Sequence, residues 1–258
     1  MTRSFRYLVV LGLLLLGAGL SGCATSTGSG QARILRVGVT PNEPPIIYKE
    51  GGRVAGLEAE LARKLAARLD AEVKFVEMPF DRLLSALDEG KIDIVMSGMT
   101  VTALRAPLAQ FCDPYATTGL AVMVRSADLW TYSYPEVIYV IKTRLGVEKG
   151  TIADVLAQRR CPKATVSTFP STQAAVQALK ANQVDAVIAD APVLWRLAAQ
   201  SEGASVTVVR RLLTEENLAW AVRRGDTELL TAANSALQQW RADGTLANIL
   251  SAYAPLAP

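Results

Sequence analysis

Two stretches of this chain repeat one another without a gap. ALDEGKIDIVMSG runs from Ala86 to Gly98, and ALKANQVDAVIAD runs from Ala178 to Asp190. Leu87 falls on Leu179, Asp93 on Asp185, Val95 on Val187, and Gly90 on Asn182. Each copy reads as a helix end, a turn residue able to take left-handed backbone, and a short apolar strand buried on both faces. Asparagine is one of the few residues that replaces glycine in such a turn. The economical reading is two similar α/β lobes, and the competing one is chance similarity, since α/β units share turn and helix grammar. In this register Gly98 and Asp190 end equivalent strands, so two facing lobes direct both into one cleft.

The order of elements around each copy agrees with two lobes. Arg36–Thr40 alternates as a first strand, followed by the stiff loop Pro41-Asn42-Glu43-Pro44-Pro45 and a turn at Gly51-Gly52. Leucines at 57, 61, 65 and 69 predict an amphipathic helix over Gly56–Leu69. A strand over Glu72–Glu77 comes next, then a helix capped by Asp81 and stopped by Gly90, then the strand Ile92–Met96. Strand, helix, strand, helix, strand implies a parallel sheet. The second round has strands at Arg144–Glu148, Ala164–Thr168 and Val184–Ala189, with Thr151 and Ser171 at helix starts. Gly119–Arg125 and Asn217–Val222 read as strands that cross between lobes, which is the geometry of a hinge. Leu229, Leu230, Ala233, Leu237 and Trp240 lie on one helix face. That tail is expected to return to the first lobe, ending in a short helix over Leu246–Tyr253.

Composition removes several function classes. Half of the 258 residues are hydrophobic and a fifth are charged, as in ordinary globular chains. Net charge is +3 and no basic block stands out, so nucleic acid is not indicated. The chain has no histidine, which removes the commonest general base and metal ligand. Three cysteines do not suggest a zinc site, and neither metal nor cofactor is called for. Arg3 and Arg6 precede an apolar run, Leu8–Leu20, too short to span a membrane comfortably. It ends in Leu20-Ser21-Gly22-Cys23, which resembles a bacterial lipobox. That resemblance implies signal peptide 1–22, a lipid on Cys23, a flexible tether over 23–33, and a cell-envelope location on the periplasmic or extracellular face of a membrane. Cys112 and Cys161 fall in different lobes and are expected to stay free thiols. The aromatic run Leu129–Ile141 is either buried packing or a partner surface.

The chemistry concentrates in Ile92–Arg105, where a core strand ends in Ser97-Gly98 and leads to Thr100, Thr102 and Arg105. Ligands in open α/β sheets sit beyond the carboxyl ends of strands, and a guanidinium grips a carboxylate with paired hydrogen bonds. On spacing alone Thr102 is equally a cap and Arg105 a surface residue.

The stretches RVGVTPNEPP, GLEAELARKLAARL, ALDEGKIDIVMSGMTVTALR, DPYATTGLAVMVR, KGT at 149–151, ALKANQVDAVIADAP and LAWAVRRGD…ADGTL resemble, in order, the bacterial extracellular solute-binding proteins of the polar amino acid type. The resemblance spans nearly all of 34–255. It implies two Rossmann-like α/β lobes joined by two hinge strands, lobe 1 being 34–117 with 221–258 and lobe 2 being 118–220. It implies a monomer that captures an amino acid, closes on it and presents it to an ABC transporter permease, without catalysis. By the same resemblance Arg105 pairs with the ligand α-carboxylate, beside Thr100 and the Gly98 backbone. Asp190 binds the α-ammonium, Phe80 covers the side chain, and Thr151 and Ile152 offer backbone N–H groups. Asp190 is also a natural helix cap, and Phe80 a hydrophobic staple.

Departures from the family pattern bear on specificity. Glu43 stands where an aromatic residue is frequent, Thr40 where an acid is common, and Ile152 where a second hydroxyl is frequent. Glu43 either meets a cationic ligand side chain or faces solvent. Two other functions compete: a dehydratase acting on prephenate or arogenate in the same cleft, with Glu43 as the spare acid, and a sensory or cell-wall binding module.

Overall fold

The computed structural model describes residues 33–201, 203 and 205–253. The lipobox, Cys23 and residues 24–32 of the tether lie outside the described residues, and Arg33, expected to end the tether, opens the first strand instead. No described helix is long and apolar enough to cross a membrane.

The first lobe opens with β1 (Arg33–Val39) and a small meander of β2 (Asn42–Glu43), β3 (Ile47–Glu50) and β4 (Arg53–Ala55). Then come α1 (Leu57–Arg68), β5 (Ala71–Glu77), a 3₁₀ turn over Phe80–Arg82, α2 (Leu83–Asp88), β6 (Ile94–Val95) and β7 (Gln110–Phe111). β8 (Ala116–Thr118) leads out, and β9 (Leu120–Arg125) enters the second lobe. There follow β10 (Arg144–Glu148), α3 (Ile152–Arg160), β11 (Thr165–Phe169), α4 (Thr172–Lys180), β12 (Ala186–Asp190), α5 (Ala191–Ala199) and β13 (Val206–Val208). β14 (Glu216–Leu218) leads back to β15 (Ala221–Val222), α6 (Thr227–Ala242) and α7 (Thr245–Ala252).

The two five-stranded sheets run β5-β1-β6-β15-β7 and β11-β10-β12-β9-β13. In each, the first three strands are parallel and the fourth is antiparallel. The fourth strands are exchanged: β9 follows the first lobe's strands and pairs in the second sheet, and β15 does the reverse. Each crossing strand breaks into two pieces rather than running unbroken. At Gly119 an added Cβ would sit 2.0 Å from the Thr214 carbonyl oxygen, so the chain turns there under close backbone contact. The outer pieces, β8 and β14, pair antiparallel as a two-stranded hinge ribbon.

The repeat has a structural counterpart. Asp93 accepts from the Arg36 backbone N–H (2.8 Å) and Nε (3.1 Å), while Arg36 Nη1 donates to the Gly90 carbonyl (2.6 Å). Asp185 accepts from the Arg144 backbone N–H (2.9 Å) and Nε (3.0 Å), while Arg144 Nη1 donates to the Asn182 carbonyl (2.8 Å). Gly90 and Asn182 both hold positive φ, at 71° and 59°. Each clamp ties the central parallel strand, β1 or β10, to the turn before β6 or β12, fixing parallel register.

The cores follow the sheets. Leu57, Leu61 and Leu65 of α1 pack with Val37, Ile94, Trp220, Leu237 and Trp240, so the tail helices do return to the first lobe. Leu83, Leu87, Ile92 and Met99 cover that sheet's other face. Cys112 belongs to the first lobe's core and Cys161 to the second's, both buried and unpaired. The aromatic run divides: Tyr132 and Ile138 are buried, whereas Trp130 is 91% exposed. Asp81 does not cap α2. It sits inside the 3₁₀ turn, and the capping position falls on Arg82, which makes no side-chain cap bond.

Candidate functional site

All eight residues singled out as ligand contacts, Glu43, Phe80, Gly98, Thr100, Arg105, Thr151, Ile152 and Asp190, line one narrow cleft between the lobes. Gly98 and Asp190, matched by the repeat, both face it. Sheet topology explains the convergence, because β6, β10 and β12 point their carboxyl ends at it.

Arg105 sits in the turn after β6, where Thr102 Oγ1 accepts its backbone N–H at 3.2 Å. Only 9% exposed, its guanidinium donates to the Thr100 carbonyl at 3.0 Å and across the cleft to the Gly150 carbonyl at 3.2 Å. Phe80 packs against it, with the guanidinium carbon 5.2 Å from the ring centre, a cation–π geometry. Phe80 therefore forms the wall behind Arg105. Burial pushes the guanidinium down from its ordinary value, and the Asp190 and Glu216 carboxylates push it back up.

Asp190 occupies the N-cap position of α5 without making a side-chain cap bond. Its Oδ1 is buried and has no hydrogen-bond partner among the described residues. Burial holds its carboxyl well above the usual range, the charges of Glu43 and Glu216 add to this, and Arg105 opposes them. An unpartnered buried carboxylate oxygen opposite a half-engaged guanidinium is a place for a group that brings donors of its own.

Thr151 caps α3, accepting the Asp154 backbone N–H at 3.3 Å while donating to the Glu148 carbonyl at 2.8 Å. Ile152 and Ala153, the first residues of α3, line the cleft, where a helix start favours an anion. Thr100 lines the cleft, and its hydroxyl donates to Glu216 Oε2 at 2.9 Å, while Glu216 Oε1 accepts from Thr214 at 2.7 Å.

Sequence reasoning missed three acids and a hydroxyl. Glu216 lies on the hinge strand β14. Glu58, fully buried on α1, accepts the Gly98 N–H, so the backbone of the site is held from behind. Burial raises the Glu58 carboxyl to about 7, opposed by the Gly98 N–H and by the Tyr115 and Trp220 polar groups. Glu148 ends β10, and its Oε2 accepts the Thr172 N–H at 2.9 Å and lies 3.1 Å from Thr172 Oγ1. The same hydroxyl reaches Glu43 Oε1 at 2.7 Å. Glu148 was detectable as a strand-end residue directly before the Lys149-Gly150-Thr151 turn; Thr172 follows the cap Ser171 that opens α4.

The lobes are closed on one another. Besides Arg105 with Gly150 and Glu43 with Thr172, Lys149 Nζ pairs with Asp81 at 2.8 Å, and Arg196 lies 5.5 Å over the Tyr48 ring. The arrangement offers one cation with a helix start, one unpartnered carboxyl, and an aromatic wall, the complement of a small zwitterion.

Comparison with known proteins agrees with this geometry. Residues 35–255 match the family model described as bacterial extracellular solute-binding proteins, family 3. An L-arginine-binding protein of Pseudomonas aeruginosa is 32% identical over 229 residues, covering 85% of this chain and 87% of that protein. Among solved structures, an ancestral arginine-binding protein bound to arginine superposes with a TM-score of 0.80 at 32% identity, covering 86% of this chain and 99% of the other. An ancestral amino acid-binding protein, AncCDT-1, a precursor of cyclohexadienyl dehydratase, gives 0.79 at 34% identity, with 85% and 94% covered.

Proposed function

The chain belongs to the bacterial extracellular solute-binding proteins, family 3, and on that premise we propose that it captures a free amino acid between its lobes and delivers it to an ABC-type importer. The observation that carries the reading is the placing, within one cleft, of Arg105 and of an Asp190 whose buried Oδ1 lacks a hydrogen-bond partner among the described residues. Arg105 and the start of α3 receive the α-carboxylate, and Asp190 receives the α-ammonium. Desolvated charges of opposite sign then pair on both sides, without which binding would lose several kcal/mol per ion. Relatives named for arginine binding support the amino acid class.

The remaining parts of the proposal follow from this role. The hinge ribbon β8–β14 lets lobe 1 (34–117 and 221–258) and lobe 2 (118–220) open and close. Closure is driven by contacts that only the closed state makes. Cys23 carries a lipid that holds a monomeric receptor at the outer face of the membrane beside its permease. The protein acts by capture and not by turnover.

A thermal-shift screen of the common amino acids tests this, with Arg105→Ala and Asp190→Asn alongside. A ligand at a hundredfold excess over its Kd should stabilise the wild type by about 2.7 kcal/mol, and both variants should lose the shift. No shift with any amino acid, together with release of phenylpyruvate from prephenate, would replace the receptor with a dehydratase.

A further inference from the structure

Among the described residues the cleft gathers more carboxyl groups than a zwitterion can balance. Glu43, Asp190, Glu148 and Glu216 gather around it, against the single guanidinium of Arg105. The neighbouring cations are engaged elsewhere: Lys149 pairs with Asp81 at the mouth, and Arg196 stacks over Tyr48. Glu216 is satisfied by the Thr100 and Thr214 hydroxyls, and Asp190 and Arg105 are the partners proposed for the ligand's α-groups. That leaves Glu43 on the first lobe and Glu148 on the second.

Their geometry needs a hydrogen the side chains do not supply when both are ionised. Thr172 Oγ1 stands 2.7 Å from Glu43 Oε1 and 3.1 Å from Glu148 Oε2. A hydroxyl has one hydrogen to donate, so one of these oxygens faces a lone pair unless a carboxyl carries a proton. We infer that Glu43 and Glu148 form a carboxyl pair across the cleft that holds one proton when the closed cleft is empty and releases it to solvent when a ligand with a cationic side chain takes its place. This deepens the amino acid reading and rests on it: the ligand is an amino acid whose side chain ends in a guanidinium or an ammonium.

The exchange balances, since one carboxylic acid becomes a carboxylate, one proton leaves, and one positive charge arrives. Burial, with the charge and hydrogen bonding of Glu43, pushes the Glu148 carboxyl far above its ordinary range, and the Thr172 N–H and hydroxyl oppose this. Two like charges at such range in a low-dielectric cleft do not both ionise. A guanidinium or ammonium supplies several donors at once, enough to satisfy both carboxylates and the Thr172 oxygen.

Calorimetric titration of the full chain, in two buffers of different ionisation enthalpy from about pH 6 to about pH 9, reads the proton directly. L-arginine and L-lysine are compared with L-citrulline and L-glutamine. At neutral pH a cationic ligand should bind about tenfold tighter or more than its neutral counterpart and release up to about one proton per site more than that counterpart does. Glu43→Gln, at a half-buried position, and Glu148→Gln should each reduce both the preference and the proton release. Citrulline binding as tightly as arginine, or arginine binding without proton release, overturns the inference and leaves the receptor reading intact. Failure of every amino acid to bind removes both.

Discussion

Asp81 on the first lobe and Lys149 on the second form an ion pair of 2.8 Å across the mouth of the cleft, and Gly150, beside Lys149, lies flat against Asp81. An added Cβ at Gly150 would stand 2.6 Å from the Asp81 Cβ, so the missing side chain is what lets the lobes meet here. The ion pair itself is largely solvated, with the Lys149 side chain 67% exposed. Exposed pairs contribute at most about 1 kcal/mol. Asp81→Asn should therefore weaken ligand binding by less than about fivefold. Gly150→Ala should weaken it by tenfold or more, about 1.4 kcal/mol, because the closed state becomes sterically strained. Its φ of 77° adds a cost of about 1 to 2 kcal/mol within the second lobe itself. Paired binding isotherms and unfolding curves separate the effects; equal losses of affinity in the two variants would show that the charge, not the close approach, governs closure.

Glu58 makes stability depend on pH. Its carboxyl, with an ordinary value of 4.5, is raised to about 7 by burial. Between these values the folded protein binds more protons than the unfolded chain, so stability falls as pH rises. The contribution is fully present below about 4.5 and lost above about 7, an effect of order 3 kcal/mol. Glu58→Gln keeps an oxygen for the Gly98 N–H and removes the titration. Its unfolding midpoint should equal or exceed the wild type at pH 8 and converge toward it near pH 5, flattening that limb of the profile. A parallel profile in the variant would place the titration on another group.

The Asp185 clamp works with the opposite sign. Hydrogen bonds from Arg144, first its side chain and then its backbone, hold the Asp185 carboxyl down at about 2, against an ordinary 3.8. Its contribution is present above about 3.8 and lost as pH falls through about 2. With Asp185 a quarter exposed and Arg144 nearly half, solvent screening leaves about 1 to 2 kcal/mol. Asp185→Asn should cost that much at neutral pH in denaturant unfolding and make acid unfolding less steep. Asp93→Asn, which removes the matching hydrogen bonds to Arg36 in the first lobe, should cost a similar amount at neutral pH, and a large difference between the two would mean the lobes unfold as separate units.

Much of the fold was legible because it is written locally. Gly90 and Asn182 announce left-handed turns by residue type, Ser171 and Thr151 announce helix starts, and the leucines of α1 announce a buried face. The repeat carried the argument further, placing Gly98 and Asp190 at equivalent strand ends that the structure brings to one cleft. What escaped depends on contacts between residues far apart in sequence, several of them across the lobes. Asp81 reads as a helix cap by position, yet a 3₁₀ turn carries it toward Lys149. Glu43, Glu148 and Thr172 are far apart in sequence, and only closure sets their carboxyls on one hydroxyl. Glu58 reads as a polar residue early in an amphipathic helix, but the Gly98 N–H gives it a buried partner.

Two of the three cysteines give a last test of the two-core arrangement. Cys112 packs with Trp220 and Leu237 in the first lobe, and Cys161 with Leu156 and Ile188 in the second. Both are nearly inaccessible, at 4% and 3% exposure. Burial pushes the Cys112 thiol up to about 12, with the Asp113 carboxylate adding to it, and burial raises Cys161 as well, with Arg160 opposing. The thiolate is the reactive species, so high values and low access both suppress reaction. Each side chain lies in the core of a different lobe, so a bridge between them would require both cores to open. Native protein should therefore resist alkylation at both positions, and denatured protein should react at both without prior reduction. Peptide mass analysis reads each site separately. A Cys112–Cys161 disulfide in the unreduced sample would contradict the separate cores, whereas fast native labelling of one cysteine alone would locate the lobe that opens first.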